Sequence, residues 1–210
     1  MAALLQKFKA FHRDGTKQIG RNFCIPASLC NAVRLLGISG CTQEKVRDAW
    51  YVEQQKAIER NVDDQMGGAN ILIFETMKRC IEGGADIDYA LFRLDSETNP
   101  FDLRKADLAL DFIEKHINED HPVIVSTWNR VYHGDSIAIQ GYHMWLLLAC
   151  DRAANLATYH DSGQDEIRDR AINCSQSITL MGKDYEIDVG LRGCITHSDY
   201  TCLALWKRDV

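Results

Sequence analysis

Asn22-Phe23-Cys24-Ile25-Pro26-Ala27-Ser28-Leu29-Cys30-Asn31-Ala32-Val33-Arg34-Leu35-Leu36-Gly37 is the stretch on which the fold turns. Its apolar residues Ile25, Leu29, Ala32, Val33 and Leu36 recur at the spacing of one buried helix face. Pro26 suits the first turn and Gly37 suits the stop. Cys24 therefore stands at the mouth of a helix. Amides at such an N-terminus have no partner within the helix, and the macrodipole adds about half a positive charge. Both favour thiolate over thiol, so Cys24 is the cysteine expected to be acidic. The plain alternative is a buried helix cysteine without chemistry. Gln18, upstream on the preceding loop, can add its side-chain amide to the free helix amides as a second oxyanion donor.

A partner for the sulfur comes from the second half of the chain. Gly141-Tyr142-His143-Met144-Trp145-Leu146-Leu147-Leu148-Ala149-Cys150-Asp151 reads as a buried strand, and Leu156-Ala157-Thr158-Tyr159-His160-Asp161 as its return, with Arg152-Ala153-Ala154-Asn155 as the turn. Antiparallel pairing about that turn sets residues opposite each other when their numbers sum to about 304–307. The partner of His143 is then Asp161 or a near neighbour, and Asp161 can orient the imidazole. Two competitors fare worse: Asp151 falls at the turn, and His160 alternates to the opposite face.

The order Gln18, Cys24, His143, Asp161, with the cysteine opening a helix and the other two on successive strands, resembles the papain-like cysteine peptidases. The nearest likeness is to their compact bacterial members, the bacteriocin-leader-processing peptidase domains. The resemblance covers roughly residues 15–165. It implies an α+β fold, an N-terminal helical lobe of about residues 1–120 on an antiparallel β lobe of about 121–210, in one domain. It also implies Cys24 as nucleophile, His143 as general base and then acid, Asp161 as its orienter and Gln18 as an oxyanion donor. The chain departs from the family in carrying Phe23 and Ile25 beside the cysteine and Met144-Trp145 after the histidine.

Length and composition agree, since 210 residues at 46% hydrophobic and 26% charged make one ordinary domain with a sizeable core. A formal charge of −6 and a pI of about 5.6 argue against nucleic acid or an anionic membrane as the main partner and leave a basic or unfolded target possible; a peptide or protein substrate is what the resemblance implies. The chain is longer than disulfide-stapled mini-domains and its opening lacks the apolar run of a signal peptide, so its eight cysteines are read as reduced, and with no C-x2-C pair among them no structural zinc is expected. His133 and His160 beside Asp161 form the other metal trio considered, and it is set aside. No metal or cofactor is expected. The N-terminus lacks a signal-peptide core and no run reaches the ~20 apolar residues of a membrane span, which predicts a cytoplasmic protein or one exported without a cleavable signal. Oligomeric state is not legible.

Hydrophobic periodicity predicts helices over the Cys24 stretch, Thr42 to Arg60, Asn70 to Glu82 and Phe101 to Asn118, the last with Leu103, Ala106, Leu110, Ile113 and Ile117 on one stripe. Strands are predicted over Ile87 to Leu94, Pro122 to Trp128, the His143 hairpin, Ile178 to Met181 with Tyr185 to Val189, and Thr201 to Lys207. A cleft should run between the lobes. Gly67 and Gly68, in a polar loop before a predicted helix, either approach substrate or only start that helix. Asn129 to Gln140 is either a flap over the site or an ordinary hairpin loop. Trp128 either walls the substrate pocket or packs in the core, and Tyr142 precedes the histidine at the same pocket.

The chemistry expected is acyl transfer through a thioester. Peptide hydrolysis is the first reading. Glutamine deamidation or transglutamination of a partner protein uses the same triad, and a catalytically silent binding module is the third.

Overall fold

Met144-Trp145-Leu146-Leu147-Leu148 is apolar without alternation, the pattern of a strand covered on both faces. All five are buried, at the centre of the sheet. In the computed structural model, which describes residues 3–21, 23–59, 87–92, 103–133, 136–180, 182–195 and 202–208, the helices are α1 (Ala3–Lys9), α2 (Cys24–Leu35), α3 (Gln43–Glu59), α4 (Arg104–Asn118) and α5 (Leu191–Ile195). The strands are β1 (Ile87–Phe92), β2 (Val123–His133), β3 (Ser136–Asp151), β4 (Leu156–Asp161), β5 (Glu166–Ala171), β6 (Ser175–Leu180), β7 (Lys183–Asp188) and β8 (Cys202–Lys207). Six strands form one antiparallel sheet in the order β1-β8-β2-β3-β4-β5, and β6 and β7 pair separately. The class is α+β, as predicted.

Helices α1, α2 and α4 pack on β3, α5 packs on β2, and α3 lies against α2. Helix α4 buries Ala106, Ala109, Leu110, Ile113 and Ile117, the expected stripe with Ala109 in place of Leu103. Leu103 is instead its N-cap residue. Thr42 caps α3 through its hydroxyl, which accepts the Lys45 N–H at 3.3 Å. The β3–β4 turn is held by Asp151, whose Oδ1 accepts the Ala154 N–H at 2.8 Å, and by Asn155 at φ +53, a left-handed conformation asparagine tolerates.

Several expectations need correcting. Asn129 to Gln140 is not a flap or an open loop: β2 runs to His133, β3 starts at Ser136, and Arg130 to His133 pair with Ile139 to Ser136 across a register shift. The β-branched residues Val131, Ile137 and Ile139 favour that extension. Strand β1, from the first half of the chain, pairs with β8 in the main sheet. Helices α1 and α5 and strand β5 were not anticipated. The predicted helix Asn70 to Glu82, with Gly67 and Gly68 before it, lies outside the described residues. No helix among the described residues is long and apolar enough to cross a membrane.

Candidate active site

Helix α2 begins at Cys24, with Phe23 as its N-cap residue and no side-chain cap among the described residues. The first intrahelical bond runs from the Ala27 N–H to Phe23 O at 2.9 Å, and Pro26 has no N–H, so the Cys24 and Ile25 amides have no acceptor within the helix. Cys24 is 9% exposed and belongs to the core cluster, and its thiol is near enough to the His143 imidazole to help raise the pKa of the ring.

His143 lies on β3 opposite Thr127 of β2, whose hydroxyl donates to His143 O at 3.1 Å. Its Nε2 donates to Asp161 Oδ1 at 2.8 Å, which leaves Nδ1 for the sulfur. On the paired stretch of β3 and β4, Leu147 faces Tyr159 and Leu146 faces His160, a register that, continued, sets Asp161 two residues short of the position opposite His143. The carboxylate reaches diagonally across the ladder to the ring. The competitors are elsewhere: Asp151 is occupied in the hairpin turn, and His160 is buried with Nε2 3.2 Å from Asp165 Oδ1. His160 lies on the other face of β4 from Asp161, and the His133 side chain lies outside the described ones.

Gly163, which the sequence reading did not single out, closes this corner. Its N–H donates to Asp161 Oδ1 at 2.9 Å. A Cβ there would lie 3.2 Å from Asp161 Oδ1, 3.6 Å from His143 Cε1 and 3.8 Å from Gln18 Oε1. Gln18 is thus brought to the same corner. Its backbone N–H donates to Ser162 O at 2.9 Å, its Oε1 accepts from the Ser162 hydroxyl at 3.4 Å, and its Nε2 donates to Gly20 O at 3.1 Å. Among the described residues, Gly20 O is the acceptor that Gln18 Nε2 meets, which uses one of its two hydrogens.

The loop carrying Gln18 is tied on three sides. Asn31 of α2 donates to Thr16 O at 3.0 Å, and Gln43 of α3 donates to Lys17 O at 2.7 Å while accepting the Ile19 N–H at 3.1 Å. From the β4–β5 turn, Asp165 accepts the Thr16 hydroxyl at 2.6 Å, and its backbone oxygen is 3.0 Å from His12 Nε2.

Burial alone would lower the pKa of His143, but the hydrogen bonds and charges of Asp161 and Cys24 override it and raise the pKa to about 9. Burial would likewise raise that of Asp161. The His143 bond and charge, with the Gly163 and Gln164 amides, hold it below the usual carboxylate range instead. Arg168 Nη1, 3.8 Å from Asp161 Oδ2, adds positive charge behind the carboxylate.

Of the expected substrate-binding residues, Trp128 and Tyr142 are paired through their backbones, one step from Thr127 and His143. Gly67 and Gly68 lie outside the described residues. A small pocket of about 200 Å³ opens instead between α2 and α3, lined by Ile25, Pro26, Val46, Arg47, Trp50 and Tyr51. It begins at the residue after the candidate nucleophile, and Arg47 also lies 5.6 Å from the ring centre of Phe23. The apolar flanks Phe23 and Ile25 were the available signal for it. No known family model matches the chain, and no curated protein sequence matches it either.

Proposed function

We propose that the protein is a thiol acyl hydrolase of papain-like design, acting as a cysteine peptidase with Cys24, His143 and Asp161 as its triad. The observation that carries this is the 2.8 Å bond from His143 to Asp161, with Cys24 opening a helix near enough to the ring to help raise its pKa. A protonated imidazole beside the sulfur favours thiolate. The thiolate attacks the substrate carbonyl carbon, and the electron pair moves to the carbonyl oxygen, for which the Cys24 amide and Gln18 Nε2 are the proposed donors. His143 then gives its Nδ1 proton to the departing amine as the C–N bond breaks, leaving a thioester. Water attacks the thioester as His143 takes its proton. The acid departs and the thiolate–imidazolium pair is restored.

The pocket beside Ile25 supports an extended peptide carrying one apolar side chain near the scissile bond, since Val46, Trp50 and Tyr51 offer it an apolar lining of matching size. A peptidyl vinyl sulfone series tests the reading. The expected result is a single adduct on Cys24, formed fastest with bulky apolar peptides and absent in Cys24→Ala and His143→Ala. Adducts spread over several cysteines would overturn it. Intact-mass analysis of treated proteins separates the amide chemistries: chain cleavage supports the peptidase, whereas a gain of about one dalton without cleavage means side-chain deamidation by the same triad.

A further inference from the structure

His116, Glu119 and His121 stand in the pattern H-x2-E-x-H across the end of α4. The helix ends in a Schellman reversal, in which Asp120 takes φ +57, its N–H donates to Ile117 O at 3.2 Å, and the His121 N–H donates to His116 O at 2.9 Å. Such a turn folds the side chain just beyond the helix back onto one in the last turn, where an apolar contact is the usual result. Here two imidazoles meet, and the carboxylate of the C-cap residue Glu119 faces both.

His116 Nδ1 is 3.1 Å from His121 Nδ1, and Glu119 Oε2 is 3.6 Å from the first and 3.4 Å from the second. A tetrahedral ion with bonds of about 2.0–2.1 Å sets its ligand atoms about 3.3 Å apart. These three atoms already outline one face of that tetrahedron. A hydrogen bond between the imidazoles accounts for the first distance but not for a carboxylate oxygen turned to both rings. Trp206 of β8 stacks on both, at 5.6 Å and 14° from His116 and 4.8 Å and 20° from His121, and so fixes the ring planes. The negative end of the α4 dipole points at the same spot. His116 is sealed at 6% side-chain exposure, whereas His121 at 22% and Glu119 at 45% leave a side open to solvent.

We propose that His116, Glu119 and His121 form a binding site for a divalent transition-metal ion of the zinc class, with solvent in the fourth position. Two imidazoles and one carboxylate suit zinc, cobalt or nickel rather than calcium or magnesium, which take oxygen ligands. The ion would tie the end of α4 to the segment leading into β2 and, through Trp206, to β8. Thr127, opposite His143, lies six residues beyond His121, or roughly 20 Å along the strand. The site is therefore separate from the candidate triad and stands whether or not that triad is active.

The test is titration of the metal-free full chain with Zn2+ by calorimetry, with Ni2+ quenching of tryptophan emission as a second readout. One saturable equivalent is expected, retained in Cys24→Ala. Glu119→Gln and His121→Gln, both partly exposed, should each weaken it by about tenfold or more without moving the melting temperature of the metal-free protein. Trp206→Phe should abolish most of the Ni2+ quench. Absence of saturable binding up to millimolar Zn2+ would overturn the proposal. So would binding that survives both ligand variants or disappears when the thiols are alkylated.

Discussion

Replacing Asp161 by Asn removes one charge while keeping an oxygen to accept from His143 and Gly163, so it isolates what the carboxylate does for the imidazole. The rise of the His143 pKa from 6.5 to about 9 corresponds to about 3 kcal/mol in favour of imidazolium, gained against the opposing effect of burial. Asp161 and Cys24 share that preference, and Asp161 makes the stronger bond, at 2.8 Å. Asp161→Asn should therefore lower the His143 midpoint by more than about one pH unit, and turnover should fall about 10- to 100-fold, as expected for a lost charged hydrogen bond of about 1.5–3 kcal/mol. The assay is an NMR titration of the His143 Cε1 proton in wild type, Asp161→Asn and Cys24→Ala, which needs no substrate. The sign for stability follows from the same shift. Because the folded pKa is raised, the stabilisation is complete below the unfolded value of 6.5 and is lost as pH climbs through about 9. Wild type should thus lose stability over that window relative to Asp161→Asn. A midpoint still near 9 in Asp161→Asn would refute the assignment of Asp161 as the group that holds the ring charged.

At pH 6, where ordinary thiols with pKa ~8.5 are almost wholly protonated, iodoacetamide should modify Cys24 before the exposed Cys174, and peptide mapping with His143→Ala should abolish the preference. Tyr51→Ala, on the rim of the α2–α3 pocket, should reduce kcat/KM for peptides with a bulky apolar residue about three- to tenfold while leaving small-residue peptides nearly unchanged. Leu148→Ala, at a fully buried position of β3, should cost about 2–5 kcal/mol in urea unfolding, and a smaller loss would mean that the sheet centre can collapse around the gap.

The parts of this molecule legible in its sequence are those set by local rules. The 3.6-residue period of α4 and the unbroken apolar run of β3 survive in three dimensions because each buries the face its pattern specifies, whereas α2 is buried on nearly every side, and Ile25 and Leu36 of its expected face are only half-buried. The proximity of His143 and Asp161 was legible for the same reason, since a short hairpin turns residue number into distance. Strand β5 was not, because Glu166-Ile167-Arg168-Asp169-Arg170-Ala171 is a charged edge strand without apolar alternation, its charges suited to an unpaired edge. Helix α1 has only seven residues, too few for a period to declare itself. Gly163 looks like any turn glycine until the side chains of Asp161, His143 and Gln18 are seen to crowd its missing Cβ. The apolar pocket depends on how α3 leans on α2, a long-range fact that no spacing within either helix encodes.

The short turn between β4 and β5 has a mechanical meaning. Ser162 grips Gln18, Gly163 and Gln164 grip Asp161, and Asp165 grips Thr16, all within four consecutive residues. In the proposed reaction, the imidazole–carboxylate pair and Gln18 would therefore share one short bracket, so that their relative alignment would be inherited from the scaffold and would not have to be rebuilt for each substrate.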